Sequence, residues 1–140
     1  MKSLSPELHD EINKLFIEAF KKLDDNKLHE AQSIAEKAWH LLPSPKYDWD
    51  VTISLVSDIC DFYKELGFYE KSHKIVDELL NSDHLDDYDD GPIFLKGAIY
   101  FEQGELALAK VWFDKANTIS KGRCFVSQPE KYKTFYSEYK

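Results

Sequence analysis

Apolar side chains recur along this chain at three- and four-residue steps, in segments long enough for helices and separated by turn residues. The first segment follows Ser5, whose hydroxyl can cap a helix, and Pro6, which suits the first helical position, and it extends to Leu23. Turn residues at 24–26 interrupt the pattern, which resumes at Ala31 and stops before a Pro-Ser-Pro sequence. Two helices joined by so short a turn form an antiparallel hairpin.

The same pattern of a helical hairpin occurs twice more, first with helices at 49–66 and 69–80 and then with helices at 92–103 and 105–120. A seventh, short helix rich in Tyr and Lys is expected to cover the apolar end of the last pair. Strand-like alternation is absent from the sequence. We therefore predict an all-α fold. Its single domain spans residues 1–140, with hairpins at about 6–42, 48–81 and 91–121 and a capping helix at about 129–139.

Small residues occupy matching points of the three hairpins: Ala19, Cys60 and Gly97 in the first helices, Ala31, Ser72 and Ala109 in the second. Small side chains at such points let two helix backbones approach closely. The third hairpin, with its glycine, Tyr100 and Phe113, resembles the tetratricopeptide motif of about 34 residues. The resemblance implies a right-handed α-solenoid, with insertions around 46–52 and around 87–89. An ordinary helical bundle with alanines placed by chance is the alternative.

Charge and composition narrow the class of partner. The chain has 26 acidic and 18 basic residues and a formal net charge of −8, which opposes binding to a phosphate backbone and favours a basic protein. The first residues lack the apolar core of a secretory signal, and no segment approaches the roughly 20 apolar residues of a membrane span. We expect a cytoplasmic protein that binds neither nucleic acid directly nor membrane. Cys60 and Cys124 lie outside any CxxC pattern and are expected to be plain thiols in or near the core.

Residue patterns typical of catalysis are absent from the sequence. The five histidines are scattered, without the spacing of a metal site. No phosphate-binding glycine loop, dinucleotide-binding turn or nucleophile elbow is present. We expect no metal, no cofactor and no enzymatic activity. The histidines are His9, His29, His40, His73 and His84.

Three acidic residues, Asp58, Asp61 and Glu65, share one face of the third helix at three- and four-residue spacing. Paired carboxylates can divide acid and base roles when burial separates their pKa values, but a solvated helix face is the simpler interpretation. The functional interpretation that we prefer is a partner-binding stripe. On the first helix of a repeat, such a stripe lines the concave groove of a solenoid.

A second acidic set surrounds Tyr88 in the segment 83–90, which contains five aspartates. The segment lacks the glycine and the terminal glutamate of a calcium-binding loop. In one interpretation, Asp89 or Asp90 caps the following helix and the other carboxylates keep a surface loop solvated. In the other, the segment is an acidic docking loop. There Tyr88 supplies contact area, and Asp86, Asp87 and Asp90 meet basic residues of a partner.

Aromatic residues cluster at the first insertion. Trp39 is predicted to be core, beside Leu42. Trp49 and Tyr47 either pack against the hairpin interface, which is our preference for Trp49, or form a recognition edge.

Longer stretches of the sequence resemble one bacterial family of tetratricopeptide-like proteins, commonly associated with polymorphic-toxin and contact-dependent-inhibition loci. The resemblance covers the chain from about Leu23 to Tyr132 and implies an immunity protein. The stretch 95–97 departs from the family's pattern, so no binding residue is carried over. The residues that carry the resemblance are Leu42-Pro43-Ser44-Pro45-Lys46, Trp49, the segment 58–67, the segment 91–97, Phe101-Glu102-Gln103-Gly104 and Gln128-Pro129-Glu130-Lys131-Tyr132.

Two functional hypotheses follow. In the first, the chain is an immunity protein that binds and neutralises the C-terminal domain of a cognate toxin, a nuclease being favoured by the acidity of the chain. In the second, it is a peptide-binding adaptor or chaperone, whose groove offers Phe94, Ala98 and Phe101 as apolar contacts, although core packing is the commoner use of such a stripe.

Overall fold

The computed structural model describes residues 2–83 and 85–140, and the predicted all-α class is confirmed. His84, one of the five histidines and part of the predicted acidic loop, lies outside the described residues. The only strand-like feature in the described part is an isolated parallel bridge between Lys2 and Trp49. The described residues form seven α-helices, α1 (Pro6–Asp24), α2 (Leu28–Leu41), α3 (Thr52–Glu65), α4 (Tyr69–Leu80), α5 (Asp90–Gln103), α6 (Leu106–Ser120) and α7 (Glu130–Glu138), and 3₁₀ turns at Lys46–Asp48 and Arg123–Phe125.

Side-chain hydrogen bonds to the backbone determine where α1 and α3 begin. The Ser5 hydroxyl accepts a hydrogen bond from the Leu8 amide at 3.3 Å, so the predicted cap of α1 is present. Helix α3 begins at Thr52 rather than at Trp49. The Thr52 hydroxyl accepts from the Trp49 amide at 3.1 Å and donates to the Lys46 carbonyl at 2.7 Å, and these bonds hold residues 46–49 in a tight turn.

Helices adjacent in sequence pack in pairs: α1 with α2, α3 with α4 and α5 with α6, while α4 also packs on α5. The small residues predicted to lie at close crossings are fully buried, among them Ala19, Ala31 and Cys60. At Gly97 the approach is so close that an added Cβ would lie 2.7 Å from Cδ1 of Phe113. This proximity explains why the sequence has a glycine inside a helix.

The first insertion is tied to the N-terminal segment. The Lys2 amide donates to the Asp48 carbonyl at 3.0 Å, and the Asp50 amide donates to the Lys2 carbonyl at 2.8 Å. Trp39 is buried as predicted, and the half-buried Trp49 donates its indole N–H to a backbone carbonyl of the Pro-Ser-Pro sequence, that of Pro43, at 2.9 Å. These contacts hold the insertion against the N-terminal segment and the Pro-Ser-Pro sequence that follows α2.

Two buried apolar clusters make up the core. The larger extends over α1 to α5, and the smaller joins α5, α6 and α7. Tyr132 of α7 is 2% exposed, and its ring lies within 6 Å of the ring centroids of Phe94, Phe101 and Phe113. Cys60 and Cys124 are buried free thiols, as predicted. Among the described helices, none has the length and apolar character required to span a bilayer.

Candidate functional site

An open groove of about 570 Å³ lies between α1 and α3. Its floor includes Phe16, which is buried, and Phe20, which is half-buried. Ile17 also lines it, with 69% of its surface exposed, the greatest exposure of any large apolar side chain on α1. The groove is thus an apolar surface that no described residue of the chain covers. The residues that line it are Asn13, Phe16, Ile17, Phe20, Lys21, Asp24 and Asp58.

Asp58 is the predicted site residue that faces this groove. Burial and, to a smaller extent, the nearby charge of Asp61 raise the pKa of its carboxyl to about 6, and His9 opposes the shift. Within the described part of the chain, no hydrogen bond or ion pair engages the Asp58 carboxylate. At neutral pH the groove therefore contains a half-buried negative charge that pairs with none of the described residues.

The other two acidic residues of α3 have different surroundings. Asp61 forms an ion pair with Lys64 at 3.2 Å, and the Lys64 ammonium also donates to the Tyr132 hydroxyl at 3.0 Å. Glu65, the last residue of α3, is exposed. The predicted stripe is thus one helix face with three different roles: a free carboxylate in a groove, an ion-paired carboxylate and a solvated one.

The predicted acidic loop is organised by its own side chains. The Asp89 carboxylate accepts a hydrogen bond from the Asp86 amide at 2.7 Å, and the Asp86 carboxylate accepts from the Tyr88 amide at 2.9 Å. Asp89 stands at the N-cap position of α5 but makes no capping hydrogen bond, because its carboxylate is used inside the loop. The prediction that the Asp89 side chain caps α5 is therefore wrong. Asp90, also proposed as the cap, is instead the first residue of α5.

Tyr88 is the most exposed large apolar side chain among the described residues, with 80% of its surface accessible. Asp86 and Asp87 beside it are exposed as well, while Asp90 is half-buried. An aromatic ring held out by a hydrogen-bonded loop supplies contact area at low entropic cost, because the loop is already fixed. The arrangement suits contact with a protein surface that carries basic groups.

The apolar stripe of the adaptor hypothesis is not open. Phe94 and Ala98 are 4% and 2% exposed, and Phe101 packs on Tyr132 and Phe135 of α7, with ring centroids 5.4 and 5.1 Å apart. The stripe belongs to the core, since α7 covers it. Its use as a peptide-binding surface is therefore wrong for this structure.

The apolar periodicity of the sequence did not predict the groove, although the position of one residue, Ile17, differs from the periodic pattern. The buried positions Ile12, Phe16 and Ala19 of α1 follow three- and four-residue steps. Ile17 is apolar but falls outside that stripe, so the sequence pattern predicts that it is exposed. In the described ranges, no group of three or more His, Cys, Asp or Glu side chains is placed to hold a metal ion.

Comparison with known proteins finds no matching family model, no matching curated protein and no matching solved structure.

Proposed function

We propose that this chain is an immunity protein, which binds a cognate bacterial toxin domain and neutralises it. The observation that carries the proposal is the acidic loop, where Tyr88 is 80% exposed beside the exposed carboxylates of Asp86 and Asp87 in a hydrogen-bonded turn. Such a loop offers an aromatic anchor surrounded by negative charge, which is a suitable contact for a basic protein surface. The resemblance of the sequence to a family of immunity proteins supports a toxin domain as the partner.

The proposed architecture is a right-handed solenoid of three tetratricopeptide-like hairpins closed by α7. Packing of α1 on α2, α3 on α4 and α5 on α6 supports it, as does the contact between α4 and α5. Buried small residues at matching points, Ala19 and Cys60 in the first two hairpins and Gly97 in the third, provide further support. In a solenoid of this kind, α1 and α3 line the concave side.

Neutralisation is proposed to be steric and electrostatic. A nuclease carries a basic surface for its nucleic acid substrate, and an acidic protein placed on that surface excludes the substrate. The net charge of −8 accelerates the encounter between the two proteins, and the individual carboxylates fix their register. The proposed contacts are Asp58, Asp61 and Glu65 on α3 and Asp86, Asp87, Tyr88 and Asp90 in and beside the loop.

The test is coexpression with the C-terminal domain of a toxin-like protein encoded next to this chain. We expect the cells to survive and the two proteins to copurify. The double variant Asp86→Lys with Asp87→Lys is expected to lose protection. The matched control, Asp10→Lys with Glu11→Lys, makes the same change in net charge at two exposed positions of α1 and is expected to protect. Survival without a complex, or death despite a complex, would refute the immunity proposal.

A further inference from the structure

We propose that the groove between α1 and α3 receives a long basic side chain, lysine or arginine, from a protein partner. The methylene stem of that side chain lies against Ile17 and Phe20, and its cationic head lies at Asp58. The inference deepens the proposed function, because it specifies the chemistry of one partner contact. It uses a surface different from the acidic loop.

The apolar half of the contact comes from α1. Ile17 is 69% exposed, and the half-buried Phe20 and buried Phe16 continue its surface into the groove. Covering these side chains removes apolar area from water, at about 25 cal/mol per Å². A lysine or arginine stem provides three or four methylene groups for such a surface, while the charge stays at the tip.

The acidic half comes from Asp58 of α3 and Asp24 of α1, which both line the groove. Lys21 also lines the groove but makes no ion pair with Asp58. The groove therefore has one more carboxylate than ammonium group. A half-buried carboxylate gains more from a cation than an exposed one does, because water screens the pair less. This charge balance selects a cationic side chain over an acidic or a neutral one.

The competing contacts of Asp58 are few. The ammonium of Lys64 on α3 is engaged by Asp61 at 3.2 Å, and His9 of α1 contributes only a longer-range attraction. Because neither Lys64 nor His9 forms an ion pair with the Asp58 carboxylate, a cation brought by the partner meets an acceptor that no described residue engages. The groove residues and the loop residues share no hydrogen bond or ion pair among the described residues, so the two surfaces can be tested separately.

The test uses the full chain, labelled with ¹⁵N, and three small probes of equal length: pentylammonium, pentanol and pentanoate. Pentylammonium reproduces the lysine stem and charge. We expect it to shift the amide resonances of α1 and α3 around residues 13–24 and 58, with an affinity at least about fivefold above that of pentanol. That ratio corresponds to about 1 kcal/mol. Pentanoate is expected to bind more weakly than pentanol.

Two variants separate the two halves of the contact. Asp58→Asn is expected to remove the preference for pentylammonium and leave pentanol binding unchanged, whereas Ile17→Ser is expected to weaken both probes. Equal binding of pentylammonium and pentanol to the wild type, or shifts confined to other helices, would overturn the inference. A different result would refute the proposed function: the toxin domain would not bind the wild-type chain at all.

Discussion

Replacing Asp58 by asparagine should stabilise the fold at neutral pH. Asparagine keeps the shape of the side chain and removes the charge that burial penalises. The pKa of Asp58 rises from 3.8 to about 6 in the folded chain, so the folded state binds this proton more tightly than the unfolded state does. The charged carboxylate therefore lowers the free energy of unfolding above pH 6, and this penalty disappears as the pH falls towards 4.

The size of the effect follows from the shift. A pKa change of about 2 units at about 1.4 kcal/mol per unit gives an upper value of about 3 kcal/mol. Water still reaches part of the half-buried carboxylate, and its screening reduces the effect to about 1–3 kcal/mol. A gain of this size at a single surface groove is larger than most exposed substitutions produce.

Urea unfolding of wild type and Asp58→Asn at pH 7.5 and pH 4 measures the effect. The variant is expected to be more stable at pH 7.5 and equal to the wild type at pH 4. Asp87→Asn, the same change in the exposed loop, serves as the matched control and is expected to alter stability by less than about 0.5 kcal/mol. A gain for Asp58→Asn no larger than that of the control, or one that persists at pH 4, would refute the reasoning. A carboxylate such as Asp58, which lowers stability and pairs with none of the described residues, is expected at a surface that binds a partner.

Two further predictions concern the packing of α5. Gly97→Ala places a Cβ 2.7 Å from Phe113 and is expected to cost about 1–3 kcal/mol in thermal or urea unfolding, whereas Gly91→Ala, with no atom within 4 Å, is expected to be neutral or stabilising. His73 accepts a hydrogen bond on Nδ1 from the buried ammonium of Lys96 at 3.0 Å, and burial, reinforced by Lys96, lowers the pKa of the His73 ring. The unfolded state then binds the proton more tightly than the folded state does, so the contribution of His73 to stability should fall as the pH drops below 6.5. His73→Gln should remove that part of the pH dependence of the unfolding free energy. An unchanged dependence of stability on pH in this variant would contradict the assignment.

The helices were predictable from the sequence because their signals are local. A capping Ser5, a proline at the first helical position and apolar residues at three- and four-residue steps define α1 without reference to any other segment. The start of α3 was placed three residues early, because the hydroxyl of Thr52 organises the preceding turn. The use of the Asp89 carboxylate was also misassigned, since an N-cap position does not determine which amide the side chain binds.

The groove could not be predicted, because it depends on how α1 meets α3. Periodicity identifies which face of a helix is apolar but not which helix covers it, so the stripe at Phe94 and Phe101 was open to two interpretations until α7 was seen to cover it. The acidic stripe was identified correctly as one helix face. Only the fold distinguishes Asp58, which is half-buried and pairs with none of the described residues, from Asp61, which forms an ion pair with Lys64.

The most direct test of the central claim is the affinity of the purified chain for the toxin domain, measured by calorimetry at low and high salt. We predict a one-to-one or higher-order complex whose affinity falls as salt rises, and falls further in the double variant Asp86→Lys with Asp87→Lys. The absence of a complex would contradict the immunity function. A complex indifferent to both salt and charge reversal would contradict the electrostatic mechanism.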